Sequence, residues 1–195
     1  MARAFLILHG YQGSGPEHWQ TWLAGRLREA GELVAYPDLP DPFEPRPDAW
    51  RGALARELAA LPAEPVVIAH SLGCALWLDH CCAPVATGAR AGRVLLVAPA
   101  SAAGAPAPIM PFFPMPLDPG AVAAAAGETR LVCAPDDPYC PEDAARVYGE
   151  PLGIPVDVLP GAGHVNPDSG FGPWPAAEAW CYGASAIASS RMAPG

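Results

Sequence analysis

The sequence contains no lysine: all 11 of its basic residues are arginines, and they stand against 20 acidic residues. The resulting net charge of −9 argues against a nucleic-acid partner, because such a partner requires a basic face that displaces counterions from phosphates. The absence of lysine also excludes the phosphate-binding loop G-x-x-x-x-G-K-[ST], and the G-x-G-x-x-G spacing of dinucleotide sites is missing. The composition favours neutral or cationic small molecules over polyanions as ligands.

Long apolar runs are missing as well. No stretch reaches the roughly 18 residues that a membrane-spanning helix requires. The run Ala4–Leu8 ends at His9 and is too short for the core of a signal peptide. The six cysteines lack the C-x-x-C pairs of zinc sites, so reduced and mostly buried thiols are expected. We therefore predict a cytoplasmic protein that has no membrane association and needs no metal or organic cofactor.

Glycine and proline are abundant, at 20 and 26 of the 195 residues, but apolar residues make up 51% of the chain, which excludes disorder. A chain of this length can bury a sizeable core in one domain, residues 1–195. Short apolar runs alternate with amphipathic stretches, a pattern typical of a mostly parallel sheet flanked by helices on both faces. Strands are predicted at residues 5–8, 33–36, 65–69, 94–97, 130–133 and 156–159. Helices are predicted from Pro16, around Trp50, over residues 72–82, from near Pro141, and from Pro175 into the alanine-rich tail.

One serine stands where the predicted central strand meets the next helix. In Ala69-His70-Ser71-Leu72-Gly73, a sharp turn would raise the Ser71 hydroxyl above the sheet, as in the G-x-S-x-G nucleophile elbow. Ala69 replaces the first glycine of that motif but leaves the strand–turn–helix context intact. The structural alternative is that Ser71 caps the helix that begins at Leu72. The neighbouring His70 is expected to pack or to bond to the backbone.

A nucleophilic serine needs a base, and in enzymes with this elbow the chain order is serine, acid, histidine. Of the five histidines, only His164 follows both Ser71 and a late strand. The acid must orient the imidazole, and Asp136 and Asp137 both directly follow the fifth predicted strand. Spacing alone does not separate these two aspartates.

The oxyanion that forms on attack at a carbonyl needs two preorganised donors. The amide of Leu72, directly after the nucleophile, is the first candidate. The second is expected from the glycine-rich loop over residues 9–15, where we favour the amide of Tyr11 and place Gln12 second.

Several motifs together resemble the small serine hydrolases related to retinoblastoma-binding protein 9, including bacterial members. The motifs are His9-Gly10, Gly13-Ser14, His18-Trp19, Trp22-Leu23, His70-Ser71-Leu72-Gly73, Asp136-Asp137-Pro138-Tyr139, Gly163-His164 and Ser169-Gly170-Phe171-Gly172-Pro173-Trp174-Pro175. They cover nearly the whole chain in the order found in that family. The resemblance implies a compact α/β-hydrolase fold with a triad of Ser71, Asp137 and His164, since the family's acid is the aspartate before proline. The chain departs from the family at Ala69 and Val165, and neither change removes a catalytic group.

A proline-rich segment between the fourth strand and the acid is the candidate substrate wall. Residues 109–116 are apolar, and they form either a minimal cap over the site or a loop packed over the sheet edge. Trp19, Trp22 and Trp50 are assigned to the core by their helical spacing. The candidate pocket residues are Met110, Phe112, Phe113, Met115 and Trp174.

Together these features predict a serine hydrolase that acts on a small-molecule acyl ester, in the manner of a carboxylesterase, through an acyl-enzyme. An amidase, peptidase or acyltransferase using the same triad is the alternative within enzymes. A non-catalytic binding protein on a hydrolase fold is the alternative outside them. A protein partner is left open.

Overall fold

A six-stranded sheet, parallel throughout, forms the centre of the computed structural model, which describes residues 2–83, 90–141 and 143–187. The strand order is β2-β1-β3-β4-β5-β6. The strands are β1 (Ala4–Leu8), β2 (Leu33–Ala35), β3 (Val66–His70), β4 (Ala91–Val97), β5 (Ala126–Cys133) and β6 (Val156–Val158). The central strands β1 and β3 are buried along their whole length, as their continuous apolar sequences require, whereas the edge strands β2 and β6 are short and partly exposed.

Helices cover both faces of this sheet. They are α1 (Trp19–Glu29), α2 (Pro47–Ala60), α3 (Leu72–Cys81), α4 (Pro119–Ala125), α5 (Glu150–Leu152) and α6 (Pro175–Cys181). One core cluster packs α2 and α3 against Leu6 and Leu8, and a second packs α1 and α6 against Phe5 and Ile7. Successive side chains of β1 therefore enter opposite clusters, as the two-residue period of a strand dictates. The predicted fold, a parallel sheet between two helical layers, is confirmed.

The start of α1 differs from the prediction. The helix begins at Trp19, because the Nδ1 atom of His18 accepts a hydrogen bond from the Gln20 amide at 3.2 Å and so caps it. Pro16 lies in the turn before the helix instead of in its first turn. The glycine expected beyond the end of this helix, Gly31, has a positive φ of 81°.

Two later helices also begin or end at other residues than predicted. The helix expected near Pro141 begins instead with a π-helical turn at Ala145–Gly149 that continues into α5, and the Asp143 carboxylate accepts the Ala145 amide at 3.0 Å. The last helix, α6, ends at Cys181, and the part of the alanine-rich tail beyond residue 187 lies outside the described residues. In the described part of the chain, no helix has both the length and the apolar character needed to cross a bilayer.

The proline-rich segment after β4 packs on the α2–α3 side of the sheet. It contains a 3₁₀-helix, Ala107–Phe112, and the ring of Phe112 lies edge-on to that of Trp50 with 5.4 Å between centroids. Ile109 and Met115 are buried in the same core cluster. The segment is therefore part of the core on that face. All six cysteines are free, and five of them are buried.

The contact between α3 and the end of β1 leaves no room for a side chain at Gly73. A Cβ there would lie 2.6 Å from the Leu8 carbonyl oxygen and 2.9 Å from that of His9. We expect Gly73→Ala to lower the free energy of unfolding by about 1–3 kcal/mol or more, measured by urea denaturation. Gly25→Ala in α1 is the matched control, since its Cβ would meet no atom within 4 Å; it should raise stability by about 0.5–1 kcal/mol. Equal effects of the two substitutions would contradict this account.

Candidate active site

The predicted site residues meet at the carboxyl ends of the strands. Ser71 follows β3, and the loop that starts at His9 follows β1, its neighbour in the sheet. The strand order changes direction between β1 and β3, since β2 lies on one side of β1 and β3 on the other. In open α/β sheets, ligands bind in the crevice outside such a switch point.

Three buried side chains form a continuous line of hydrogen bonds in this crevice. The Ser71 Oγ atom lies 2.9 Å from Nε2 of His164. On the other side of the ring, Nδ1 of His164 lies 2.9 Å and 3.0 Å from the two carboxylate oxygens of Asp137. The three side chains come from loops after β3, β6 and β5. Hydroxyl, imidazole and carboxylate in this order can move a proton from the serine to the histidine.

The two aspartates after β5 have different contacts. Asp137 meets the imidazole, whereas the carboxylate of Asp136 accepts the backbone amides of Gly161 and Gly163 at 2.9 Å and 3.0 Å. Gly163 has a φ of 51°, and a Cβ there would collide with Ser169 Oγ. Asp136 therefore binds the backbone of the loop that carries His164, whereas Asp137 contacts the His164 imidazole.

Ser71 has the strained backbone of a sharp turn, with φ 53° and ψ −119°. Its side chain makes no capping hydrogen bond to α3, so the alternative interpretation as a helix cap is wrong. Its amide donates to the Val97 carbonyl at 2.9 Å, which joins the turn to β4. A Cβ at Gly10 would lie 2.8 Å from the Cβ of Ser71, so only glycine fits opposite the turn.

The candidate oxyanion donors differ in availability. Leu72 is the first residue of α3, and the first amides of a helix have no partner within it and carry its positive dipole end. The Gln12 amide already donates to the Pro42 carbonyl at 2.9 Å, so Gln12 is not available as the second donor. In the described part of the chain, the Tyr11 amide bonds to no backbone carbonyl, and Tyr11 lines the cavity in front of Ser71.

Two further histidines pack beside His164. The ring centroid of His70 lies 4.9 Å from that of His164 and 4.8 Å from that of His18. Nε2 of His70 bonds to the His164 carbonyl oxygen at 2.9 Å, which confirms the expected backbone contact. Burial lowers the pKa of His70 well below its usual value and that of His18 to about 4. Both rings are neutral at pH 7, so the His70 ring donates Nε2–H to that carbonyl.

Further contacts hold the loop that carries His164, and the sequence did not reveal them. The indole Nε1–H of Trp19 donates to the Val165 carbonyl at 2.8 Å. Val165 is fully buried with a φ of 49°, a conformation rare for a β-branched residue. The amide of His164 donates to Ser169 Oγ at 3.2 Å. Trp19 is a core residue as predicted, but its polar indole edge also holds the loop.

An open cavity of about 310 Å³ lies in front of Ser71. None of the five predicted pocket residues lines it, and in this respect the prediction is wrong. Phe112 and Met115 are buried in the α2–α3 core, and Phe113 packs against the same cluster. Met110 is 43% exposed, and Trp174 is fully buried against Trp19.

Other residues form the cavity walls instead. The proline-rich segment contributes Pro106 and Ile109. It therefore lines the cavity, but with other residues than those predicted. The remaining lining residues are Gly10, Tyr11, Gln12, Gly13, Gly15, His18, His70, Ser71, Ala100, Tyr139, His164, Asn166, Pro167 and Asp168. Sequence reasoning missed His18, Tyr139 and Asn166, although all three lie in or beside motifs of the resemblance. In the described ranges, no three His, Cys, Asp or Glu side chains are grouped so that they could hold a metal ion.

Comparison with known proteins agrees with this geometry. The model of a family described as serine hydrolase matches residues 5–182. The Bacillus subtilis protein YdeN, described as a hydrolase, is 35% identical over 74 residues, which are 38% of this chain and 39% of YdeN. That sequence match therefore spans well under half of the relative.

Solved structures extend the likeness over most of the chain. The ydeN gene product from B. subtilis has a TM-score of 0.77 at 23% identity, over 93% of this chain and 97% of that one. A hydrolase of the α/β superfamily from Xanthomonas campestris has a TM-score of 0.58 at 18% identity, over 92% and 96%. Est1E from Butyrivibrio proteoclasticus, solved with ferulic acid bound, has a TM-score of 0.60 at 13% identity, over 85% and 82%. At these identities the likeness shows the α/β-hydrolase fold.

The neutral state of His18 predicts a loss of stability in acid. An unfolded histidine titrates near pH 6.5, whereas burial lowers the pKa of folded His18 to about 4. Between these values the unfolded chain binds a proton that the folded chain does not, so acid favours unfolding, and the effect vanishes above about pH 7. His18→Asn removes this titration and keeps a capping oxygen. Between about pH 7.5 and about pH 5, the free energy of unfolding of this variant should decrease by about 1–2 kcal/mol less than that of the wild type. Urea denaturation at both pH values measures the difference, and parallel pH dependence would contradict it.

Proposed function

The chain belongs to the serine hydrolase family, and from that premise we propose that it hydrolyses carboxylic esters through an acyl-enzyme formed on Ser71. The observation that carries the proposal is the buried line of hydrogen bonds from Ser71 Oγ through His164 to Asp137. Within the serine hydrolases we place it with those related to retinoblastoma-binding protein 9, on the motifs quoted above.

The first step forms the acyl-enzyme. As Ser71 Oγ attacks the ester carbonyl carbon, its proton passes to Nε2 of His164, 2.9 Å away. Asp137 accepts the Nδ1–H bond and stabilises the imidazolium while remaining ionised. The bond from Nε2 of His70 to the His164 carbonyl leaves the imidazole free for this transfer.

The carbonyl oxygen becomes an anion, to which the amides of Leu72 and Tyr11 would donate hydrogen bonds. The Leu72 amide lies at the N-terminus of α3, where the helix dipole favours negative charge. When the tetrahedral intermediate collapses, the bond to the alcohol oxygen breaks and His164 returns the proton to that oxygen. A water molecule then attacks the acyl carbon while His164 accepts its proton. The bond from the acyl carbon to Ser71 Oγ breaks, His164 returns the proton to Oγ, and the acid is released.

We further propose a cytoplasmic location and small neutral or cationic substrates. Six free thiols, five of them buried, fit a reducing compartment. Polyanions, nucleic acids included, are disfavoured by the net charge of −9. They are also disfavoured by Asp168, which carries the one carboxylate among the described residues that line the cavity.

Active-site labelling tests the assignment of Ser71 as nucleophile. A fluorophosphonate probe should label the wild-type protein and fail to label Ser71→Ala, since the probe reacts with an activated serine. Ser71→Ala and His164→Ala should each lower kcat/KM for short p-nitrophenyl esters by about 10³-fold or more. Ser185→Ala, at an exposed serine outside the cavity, is the matched control and should label fully. Labelling that survives Ser71→Ala would overturn the proposal.

The two aspartates provide a second, paired test. Asp137→Asn should lower kcat by about 10²–10⁴-fold, because an amide cannot hold the imidazole in the required tautomer or stabilise its charged form. Asp136→Asn keeps one acceptor for the Gly161 and Gly163 amides and should cost much less. Steady-state kinetics on the same p-nitrophenyl ester compares them. Equal losses would contradict the distinct contacts of the two carboxylates.

A further inference from the structure

The cavity has two walls of different chemistry. Pro106 and Ile109 form an apolar wall, and Ile109 belongs to the core cluster on the α2–α3 side. His18 and Asn166 line the cavity next to Trp19 and Val165, which belong to the cluster on the α1–α6 side. These two pairs of lining residues therefore come from opposite faces of the sheet.

His18 presents one unused hydrogen-bond donor. Its Nδ1 atom accepts the Gln20 amide at 3.2 Å, so the neutral ring carries its proton on Nε2. Burial keeps the ring neutral by lowering its pKa to about 4. In the described part of the chain, Nε2 has no protein partner, and the ring lines the cavity. A fixed, uncharged N–H donor is thus available to a bound molecule.

Asn166 presents a second donor, fixed by a separate set of contacts. Its Oδ1 atom accepts hydrogen bonds from the amide and the hydroxyl of Ser169, at 3.1 Å and 2.9 Å. These two donors identify Oδ1, so the other end of the amide is the NH₂ group. No acceptor for that NH₂ group occurs among the residues that the structure describes, and Asn166 lines the cavity.

A hydrogen bond between their sequence neighbours joins the segments that carry His18 and Asn166. The Trp19 indole bonds to the Val165 carbonyl at 2.8 Å, and these residues directly follow His18 and directly precede Asn166. His18 and Asn166 therefore line the cavity on the side that also carries His164. In the proposed reaction His164 returns its proton to the alcohol oxygen, so the alcohol part of the ester must lie against this wall.

We propose that His18 and Asn166 bind an uncharged hydrogen-bond acceptor, an ether or hydroxyl oxygen, on the alcohol part of the ester. The acyl part lies against Pro106 and Ile109. The acceptor is uncharged because Asp168 is the one charged side chain among the described residues that line the cavity, and it repels anions. This assignment rests on the proposed esterase function and adds the substrate class to it.

A pair of esters of equal size isolates the proposed contact. 2-Methoxyethyl acetate and n-butyl acetate differ by one oxygen in place of a CH₂ group on the alcohol. The ratio of their kcat/KM values, compared between protein variants, cancels their intrinsic reactivities. His18→Asn keeps the capping acceptor but removes the donor, so we expect the ratio to fall about 3- to 10-fold, the cost of one neutral hydrogen bond.

The matched variant is His18→Gln, which keeps a donor near the place of Nε2 and gives up the cap. It should retain more of the preference for the methoxyethyl ester than His18→Asn does. If His18 only caps α1, His18→Gln is the more damaged protein, both esters are affected alike, and the ratio stays unchanged in both variants. That result would overturn the proposal.

Asn166→Asp tests the second donor independently of the α1 cap, and it decides the question if a His18 variant does not fold. The substitution keeps the acceptor for Ser169 and replaces the donor by an anion, so the ratio should fall here as well. A second pair, methyl methoxyacetate and methyl butyrate, carries the same change on the acyl side, and its ratio should be constant across variants. A change confined to the acyl pair would overturn the assignment of the walls.

The possible failures are distinguishable. Unchanged alcohol ratios in His18→Asn and Asn166→Asp, with the wild type active on both acetates, would overturn this inference and leave the esterase standing. A wild-type protein that neither reacts with fluorophosphonate nor hydrolyses any of the esters would overturn the proposed function, and this inference with it.

Discussion

The close approach between the end of β1 and the turn at Ser71 is the constraint on which the rest of the site depends. The β1 backbone reaches within contact of Gly73, and Gly10 lies directly opposite the Ser71 side chain. Because neither position has a Cβ, the turn can take its positive φ while both backbones remain packed. That geometry brings the Ser71 hydroxyl, the start of α3 and the loop after β1 to one point. The proposed oxyanion donors are therefore adjacent to the proposed nucleophile.

The histidine loop depends on many small contacts with its backbone. Trp19, Asp136, His70 and Ser169 each bond to a backbone group between residues 161 and 165. A single such bond contributes only about 1 kcal/mol, but together they oppose the strain of the positive φ at Val165. These bonds hold the backbone from which the imidazole reaches Ser71, and Asp137 contacts the other ring nitrogen. Neutral, buried histidines serve here as packing rings that also carry hydrogen bonds.

The parts of the molecule that follow from local pattern could be predicted from the sequence. Ser71 stands between a continuous apolar strand and an apolar helix, and His164 follows a late strand in a glycine-rich loop, so both positions are readable. The cavity walls are not, because Ile109 and Phe112 are equally apolar and only the turn of the 3₁₀-helix decides which of them faces the site. The Gln12 amide is not available to an oxyanion because it donates to the Pro42 carbonyl of another loop. Motif spacing does not reveal such a contact between loops.

The division of the core into two clusters has an evolutionary consequence. The sheet separates them, and under the proposed binding mode the acid half of a substrate rests on one cluster and the alcohol half on the other. Mutations that repack α2 and α3 then act on acid selectivity first, while those beneath α1 and α6 act on alcohol selectivity. Under that binding mode the two preferences can change independently. A lineage with this architecture can exchange one half of its substrate while conserving the other, without disturbing the nucleophile between them.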